Sequence, residues 1–185
     1  FKLVKEAEAL LARIEWLISA LLKISKLDSG TAKLTSETVN VKALVQRAAA
    51  SITIPMELRG QQLITLFDGD PAFKGDLQWT VEAVENILKN CMEHTPQGGA
   101  ITVKAGENAI FTEIVISDNG KGIDKEDLPH LFDRFYKGKN SGNQSFGIGL
   151  ALARMIIVSQ NGTIKAENNP KGGAIFTIRF YKSVV

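Results

Sequence analysis

Apolar residues recur every three or four positions at the start of the chain and predict one long helix. They stand at Leu3, Ala7, Leu10, Ile14, Leu17, Leu21 and Ile24. Alternating steps of three and four are typical of the contact seam between long packed helices. The pattern stops at Asp28-Ser29-Gly30, so we expect a helix over residues 1–28, about 40 Å long. We expect its apolar stripe to pack against another segment of the parent protein and a second copy, as in a helical bundle. The alternative is packing against the domain that follows.

The remaining residues mix helical and strand patterns. After a polar connector, the patterns predict a helix over 41–54 ended by Pro55, a strand over 62–67, a helix over 76–94, a strand pair over 101–105 and 110–117, a short helical piece over 128–136, a helix over 147–160 and a hairpin of 163–167 with 174–181. Strands and helices do not alternate as regular β-α-β units. We therefore predict an α+β fold, a two-layer sandwich with one mixed sheet and helices on one face. The expected divisions are the helix at 1–30, a linker at 31–40 and a domain at 41–183.

Composition excludes several classes of protein. The 185 residues are 44% hydrophobic and 23% charged, as in an ordinary globular domain. A net charge of +2 gives no reason to expect nucleic acid or an anionic membrane surface as a partner. The single cysteine, Cys91, excludes an internal disulfide, and no apolar run reaches the roughly 18 residues of a membrane span. Because the chain begins at Phe1 within a helical pattern, we expect a fragment of a longer protein, whose contact with a membrane uses other segments.

Two carboxamides suggest a metal ligand. Asn86 and Asn90 are four positions apart on the predicted helix and so lie on one face. An amide oxygen can bind Mg²⁺ whose charge phosphates already neutralise. A solvated helix face is the alternative meaning of this pair.

Two glycine-containing clusters suggest a nucleotide. Asp118 ends a predicted strand, where its carboxylate can accept a hydrogen bond from an exocyclic amine, and Gly120 and Gly122 let the backbone approach a flat ligand. A hairpin turn is the alternative. Ser145-Phe146-Gly147-Ile148-Gly149-Leu150 opens an apolar helix, whose first backbone N–H groups can bind phosphate. This segment is neither a Walker loop nor a Rossmann turn.

Four motifs of this chain resemble, in order and spacing, the N, G1, F and G2 boxes of sensor histidine kinases. They are Asn-x-x-x-Asn, Asp-x-Gly-x-Gly, Phe132-Asp133-Arg134-Phe135-Tyr136 and Gly-x-Gly-Leu. These kinases belong to the GHKL superfamily. The resemblance implies a Bergerat-type ATP-binding fold, with ATP and Mg²⁺ as cofactors, preceded by the second helix of a dimerisation and phosphoacceptor hairpin. The implied function is transfer of the γ-phosphate of ATP to a histidine of that hairpin in two-component signalling. Its alternatives are a GHKL ATPase or serine kinase, and a non-enzymatic nucleotide-binding dimerisation scaffold.

The resemblance also implies roles for individual residues. Asn90 would bind Mg²⁺, Asp118 the adenine amine, and Asn86 the phosphate side. Phe132 and Phe135 would pack beneath a lid at 137–146, while Arg134 and Lys137 would reach the terminal phosphates. The implied catalytic residues are thus Asn86, Asn90, Arg134 and Lys137. The implied nucleotide-binding residues are Asn86, Asn90, His94, Asp118, Gly120, Gly122, Ile123, Phe132, Phe135, Tyr136, Phe146, Gly147, Ile148, Gly149 and Leu150.

The chain departs from the family pattern at three positions and lacks one component. Glu93 stands where many members have lysine, Ser145 replaces the first glycine of the G2 box, and Phe146 replaces the small hydroxyl residue after it. Neither His94 nor His130 has the neighbours of a phosphoacceptor, so the accepting histidine is expected outside this chain. The implied partners are a response regulator and, through the hairpin, a second copy. The implied location is the cytoplasmic part of a membrane-anchored bacterial sensor.

Overall fold

The computed structural model describes residues 1–138 and 147–183, and the chain divides into two compact units, Phe1–Lys33 and Leu34–Val185. The first unit is helix α1, Lys2–Asp28, as the heptad pattern predicts. Its end is closed by the Gly30 N–H, which donates to the carbonyl of Leu27 at 3.3 Å. Several seam side chains are exposed, among them Leu3, Leu10 and Ile14. None of the helices within the described ranges is long and apolar enough to cross a bilayer.

The second unit is built on a five-stranded mixed sheet with helices on one face. Its strands are β2 Gln62–Phe67, β4 Ala100–Glu107, β5 Phe111–Asp118, β6 Gly162–Asn168 and β7 Ala174–Tyr181, in the spatial order β2-β4-β5-β7-β6. The β2–β4 pair is parallel and the other pairs are antiparallel. The predicted mixed sheet and two-layer α+β fold are confirmed.

Two helices supply most of the layer against this sheet. They are α4, Leu77–His94, and α5, Gly149–Val158. Alternate strand residues such as Val103, Ile114 and Ile178 are completely buried, as are Ile87 of α4 and Ile156 of α5. The period-two pattern of the strands and the 3.6-residue period of the helices thus face each other across one apolar core.

A second, two-stranded sheet is absent from the sequence-based prediction. Strand β1, Glu37–Asn40, pairs antiparallel with β3, Ala72–Gly75. Residues 37–40 were expected to be polar linker, but they form part of the second unit. The rings of Phe73 and Phe180 stack with centroids 3.9 Å apart, which attaches the small sheet to the main core. Residues 37–40 and 72–75 show no strict alternation of apolar and polar residues, so their pattern did not predict strands.

Two predicted helices are shorter in the structure. The expected helix over 41–54 is α2, Val41–Ala49, followed by α3, Thr53–Leu58. Pro55 therefore does not end a helix: it lies in the first turn of α3, where its missing N–H is not needed. The helical piece expected over 128–136 is only a 3₁₀ turn, Leu128–His130.

Candidate functional site

Helix α4 carries the two carboxamides and one histidine on a single face. Asp76 caps its first turn by accepting from the N–H of Trp79 at 2.9 Å. Asn86, Asn90 and His94 follow at steps of four, so they span about 12 Å along the helix axis. Asn86 is buried, whereas Asn90 and His94 are half-buried. Any ligand along this face meets Asn90 and His94 more readily than Asn86.

Asn86 joins α4 to the start of α5. Its side-chain amide donates to the carbonyl of Gly149 at 3.2 Å. No side chain within the described ranges caps the first turn of α5, whose N-cap residue is Ile148. The backbone N–H groups of that turn are therefore suited to an anion. Because Ile148 and Leu150 are buried, only their backbone atoms could contact a phosphate.

Asp118 lies at the end of β5 with its carboxylate held by the backbone. Its Oδ1 accepts from the N–H of Gly120 at 2.9 Å and of Ala174 at 3.3 Å. The side chain of Cys91 on α4 is completely buried beside it. Burial, followed by the charge of Asp118 and a hydrogen bond to it, raises the pKa of the Cys91 thiol well above its usual range. The thiol thus stays protonated and donates to Asp118.

Glycines around Asp118 are required by contacts within the protein. A Cβ at Gly120 would lie 2.2 Å from the carbonyl oxygen of His94, and one at Gly173 only 1.9 Å from that of Asp118. Gly173 also has a φ of +88°, which side-chain-bearing residues rarely adopt. At Gly120 the missing side chain lets the β5 loop rest on the end of α4, and the approach of this backbone to a flat ligand stays a prediction.

The next turn is fixed by a residue that the sequence did not indicate. Asn168 accepts from the N–H of Ile123 at 2.7 Å and donates to its carbonyl at 2.7 Å. A Cβ at Gly122 would lie 2.6 Å from the same Asn168 side chain. Cys91, Gly173 and Ala174 were likewise missed, because the hairpin that holds the last two looked like an ordinary turn.

The aromatic segment divides into a packed part and an exposed part. The ring of Phe132 meets that of Phe176 edge to face, with centroids 6.5 Å apart. Phe135 is 63% exposed; most of the lid at 137–146, beneath which its ring is expected to pack, lies outside the described residues, so that packing stays a prediction. The φ of 63° at Phe135 directs its backbone N–H to the carbonyl of Gly147, at 2.9 Å. This bond attaches the aromatic segment to the entry of α5.

Tyr136 and its neighbours form a chain of side-chain contacts. The Tyr136 hydroxyl donates to Asp127 at 2.6 Å, and this bond, with smaller contributions from desolvation and nearby carboxylates, raises the pKa of the tyrosine. His130 lies beside the Tyr136 ring, with 5.1 Å between centroids, and 2.9 Å from Asp133. Tyr136 therefore supports its segment through Asp127.

The predicted basic residues lie at the surface. Arg134 donates to the sulfur of Met155 at 3.4 Å, which places it over α5, and Lys137 is exposed. Glu93 is exposed as well. Ser145 and Phe146 lie outside the described residues, so the predictions for them stay predictions.

The donor atoms present suit a nucleotide better than a metal bound by protein alone. In the part of the chain that the structure describes, no three His, Cys, Asp or Glu residues gather in a cluster able to hold a metal ion. A magnesium ion here would need ligands from phosphate beside the amide of Asn90. The uncapped start of α5 can hold those phosphates, and Asp118 offers an acceptor at the other end of the face.

This combination defines an α/β sandwich of the GHKL class, with the candidate nucleotide site between α4, α5 and the end of β5. The sequence profile of the family described as histidine kinase-, DNA gyrase B- and HSP90-like ATPase matches residues 75–183. The chain therefore belongs to that family, as its motifs predict.

Individual relatives are sensor kinases. The probable sensor kinase SilS of Salmonella typhimurium is 36% identical over 126 residues, which cover 66% of this chain and 24% of SilS. The histidine-protein kinase AfsQ2 of Streptomyces coelicolor is 32% identical over 171 residues, covering 90% of this chain and 30% of AfsQ2. The chain thus spans about a quarter to a third of these relatives. The solved structure of Acinetobacter baumannii histidine kinase AdeS shares the fold, with a TM-score of 0.79 at 22% identity over 96% of this chain and 84% of that one.

Proposed function

We propose that this chain is the catalytic region of a sensor histidine kinase, which binds Mg-ATP and transfers the γ-phosphate to a histidine on a dimerisation hairpin. The observation that carries the proposal is the arrangement of three separate motifs along one face of α4. The start of α5 is bonded to Asn86, and the loop after Asp118 rests on the carbonyl of His94. About 12 Å of helix separates these two points, which suits a nucleotide extended from base to phosphates.

Each residue of the site has a role that its chemistry allows. Asp118 accepts the adenine amine, and the backbone N–H groups at Gly147 and Gly149 hold phosphate. Arg134 and Lys137 supply positive charge toward the terminal phosphate. When bound through Asn90, Mg²⁺ neutralises charge on the phosphates and orients them. Phosphoryl transfer depends mainly on such positioning and charge stabilisation.

Transfer is favoured over hydrolysis by the chemistry at Asn86. A hydrolytic site needs a base to activate water, and the resemblance implies a glutamate at this position in hydrolytic relatives. Here the residue is a neutral amide whose donor is already bonded to Gly149. It therefore has no means of taking a proton from water.

The sensor kinases among the relatives support a proposal for the wider setting of the chain. We infer a response regulator as the protein partner, and a homodimer formed through hairpin helices that include α1. Exposed apolar side chains such as Leu10 and Ile14 on α1 support this pairing. We also infer that the chain belongs to the cytoplasmic part of a membrane-anchored sensor, with membrane contact made by other segments.

A labelling experiment tests the proposal. The chain is incubated with Mg²⁺ and γ-labelled ATP, alone or with a hairpin from its full-length parent. We expect acid-labile label on the hairpin and none on the chain alone. Transfer should be slow, because unlinked parts lose effective concentration. Label on His94 or His130 would contradict the absence of a phosphoacceptor from this chain. Release of free phosphate without the hairpin would favour an ATPase. Nucleotide binding without transfer at any hairpin concentration would favour a scaffold.

A further inference from the structure

A buried polar cluster lies where α5 ends and α4 begins. The N–H of Asp76 donates to Oε1 of Gln160 at 2.7 Å. Nε2 of Gln160 donates to the hydroxyl of Thr80 at 3.0 Å and to the carbonyl of Ile156 at 3.1 Å. Thr80 is completely buried and Asp76 nearly so. The Gln160 side chain thus uses both of its ends to bind the first turn of α4 to the last turn of α5.

The connector that precedes the second unit's helices joins the same cluster. Oδ2 of Asp76 accepts from the N–H of Thr35 at 3.0 Å and from its hydroxyl at 3.1 Å, while Oδ1 caps α4 through Trp79. Burial opposes ionisation of Asp76, but hydrogen bonds from Trp79 and Thr35 outweigh it and leave its pKa below the usual value. One carboxylate therefore holds both the connector and the start of α4.

A second link between the two helices lies at the proposed nucleotide site. Asn86 is ten positions after Asp76, and Gly149 is eleven positions before Gln160. At 1.5 Å per residue, both separations are about 15 Å. Helices α4 and α5 therefore run antiparallel. Gln160 and Asp76 bond the end of α5 to the start of α4, and Asn86 and Gly149 bond the start of α5 to the middle of α4. These two links hold both ends of α5 against the first half of α4.

We propose that Gln160 and Asp76 are positioning residues of the nucleotide site, which set the relative placement of α4 and α5 and make it dependent on the connector through Thr35. The proposal rests on the proposed function, because the groups that it positions are the amide of Asn90 and the N–H groups of α5. A displacement of about 1 Å between reacting groups can slow a reaction by two orders of magnitude. Neither positioning residue needs to contact the nucleotide.

Hydrogen exchange of the unmodified chain tests this coupling without any substitution. Exchange of the Asp76 and Thr35 amides is compared with and without a saturating non-hydrolysable ATP analogue and Mg²⁺. The Ala43 amide is the matched control, because Asn40 caps α2 in the way that Asp76 caps α4. Since coupling is reciprocal, we expect protection of Asp76 and Thr35 to rise at least about threefold more than that of Ala43. Equal changes at all three amides would overturn the proposal.

Phosphotransfer by the full-length parent gives a second measurement. Gln160→Leu removes the side-chain hydrogen bonds of Gln160 to Asp76, Thr80 and Ile156 at similar volume. Asn40→Ala removes a cap from α2, which carries no proposed nucleotide ligand. At a temperature below the unfolding midpoints of both variants, we expect kcat to fall about tenfold or more in Gln160→Leu and to stay within about twofold of the unmodified protein in Asn40→Ala. Equal losses, or no loss in Gln160→Leu, would overturn the coupling. If Gln160→Leu does not fold, the exchange experiment decides.

Failure of the proposed function has a different signature. If calorimetry detects no nucleotide binding by the unmodified chain, the proposed function is wrong, and the positioning role falls with it. If the nucleotide binds with no preferential protection at Asp76 and Thr35, the proposed function stands and only the positioning role is wrong.

Discussion

Replacing Asp118 by asparagine should separate nucleotide binding from folding. The Oδ1 atom accepts from the N–H groups of Gly120 and Ala174. It remains a hydrogen-bond acceptor in the asparagine amide, so both structural hydrogen bonds can persist. The charge and the second acceptor are lost, and that acceptor is the one proposed for adenine. A hydrogen bond to a charged group contributes about 1.5–3 kcal/mol, and about 1.4 kcal/mol corresponds to a tenfold change in affinity. Asp118→Asn should therefore weaken ADP binding about 10- to 150-fold.

Calorimetric titration with ADP in the absence of metal measures this loss most directly. Thermal unfolding of the same samples should show a small change, since no N–H loses its partner. Asp118→Ala is the contrasting variant, because it leaves the buried N–H of Ala174 and the part-buried N–H of Gly120 without this acceptor, and an unsatisfied buried N–H costs about 1–3 kcal/mol. It should unfold markedly earlier. Equal ADP affinity of the asparagine variant and the unmodified chain would refute the adenine role of Asp118.

Three further predictions follow from the same geometry. In denaturant titrations, Gly173→Ala should destabilise the fold by about 3 kcal/mol or more, because its Cβ would meet the Asp118 carbonyl at 1.9 Å. The control Gly69→Ala is also at positive φ but has no atom within 4 Å, so it should cost about 1–2 kcal/mol. Equal losses would contradict the steric argument. Asn90→Ala should abolish magnesium-dependent transfer yet keep metal-free ADP affinity within about twofold, so normal transfer would remove its metal role. Because the pKa of Asp76 is lowered on folding, its ionised form stabilises the fold above about pH 4, and this contribution is lost as pH falls further. The difference in unfolding free energy between the unmodified chain and Asp76→Asn should therefore shrink between pH 6 and pH 3. A constant difference would contradict the stabilising role of the ionised carboxylate.

Long periodic segments and the order of the motifs were accessible from the sequence. The heptad pattern predicted α1, and the apolar runs predicted β2 and β7 with the bounds that the structure has. These patterns are readable because burial of one face imposes a period on the residues of the same element. The same reasoning placed Asn86 and Asn90 on one face of α4, and the resemblance then gave the family.

Contacts between distant parts of the chain were decided only by the tertiary structure. Asn168 holds Ile123 across 45 positions, and Gln160 holds Asp76 across 84. Neither asparagine nor glutamine carries a pattern that names its partner. A hydrogen bond depends on the distance and angle between donor and acceptor after the elements have packed. The periodicity of residues within one element contains no information about that geometry. For the same reason the pairing of β1 with β3, four residues each, and the stacking of Phe73 on Phe180 were decided by the tertiary structure.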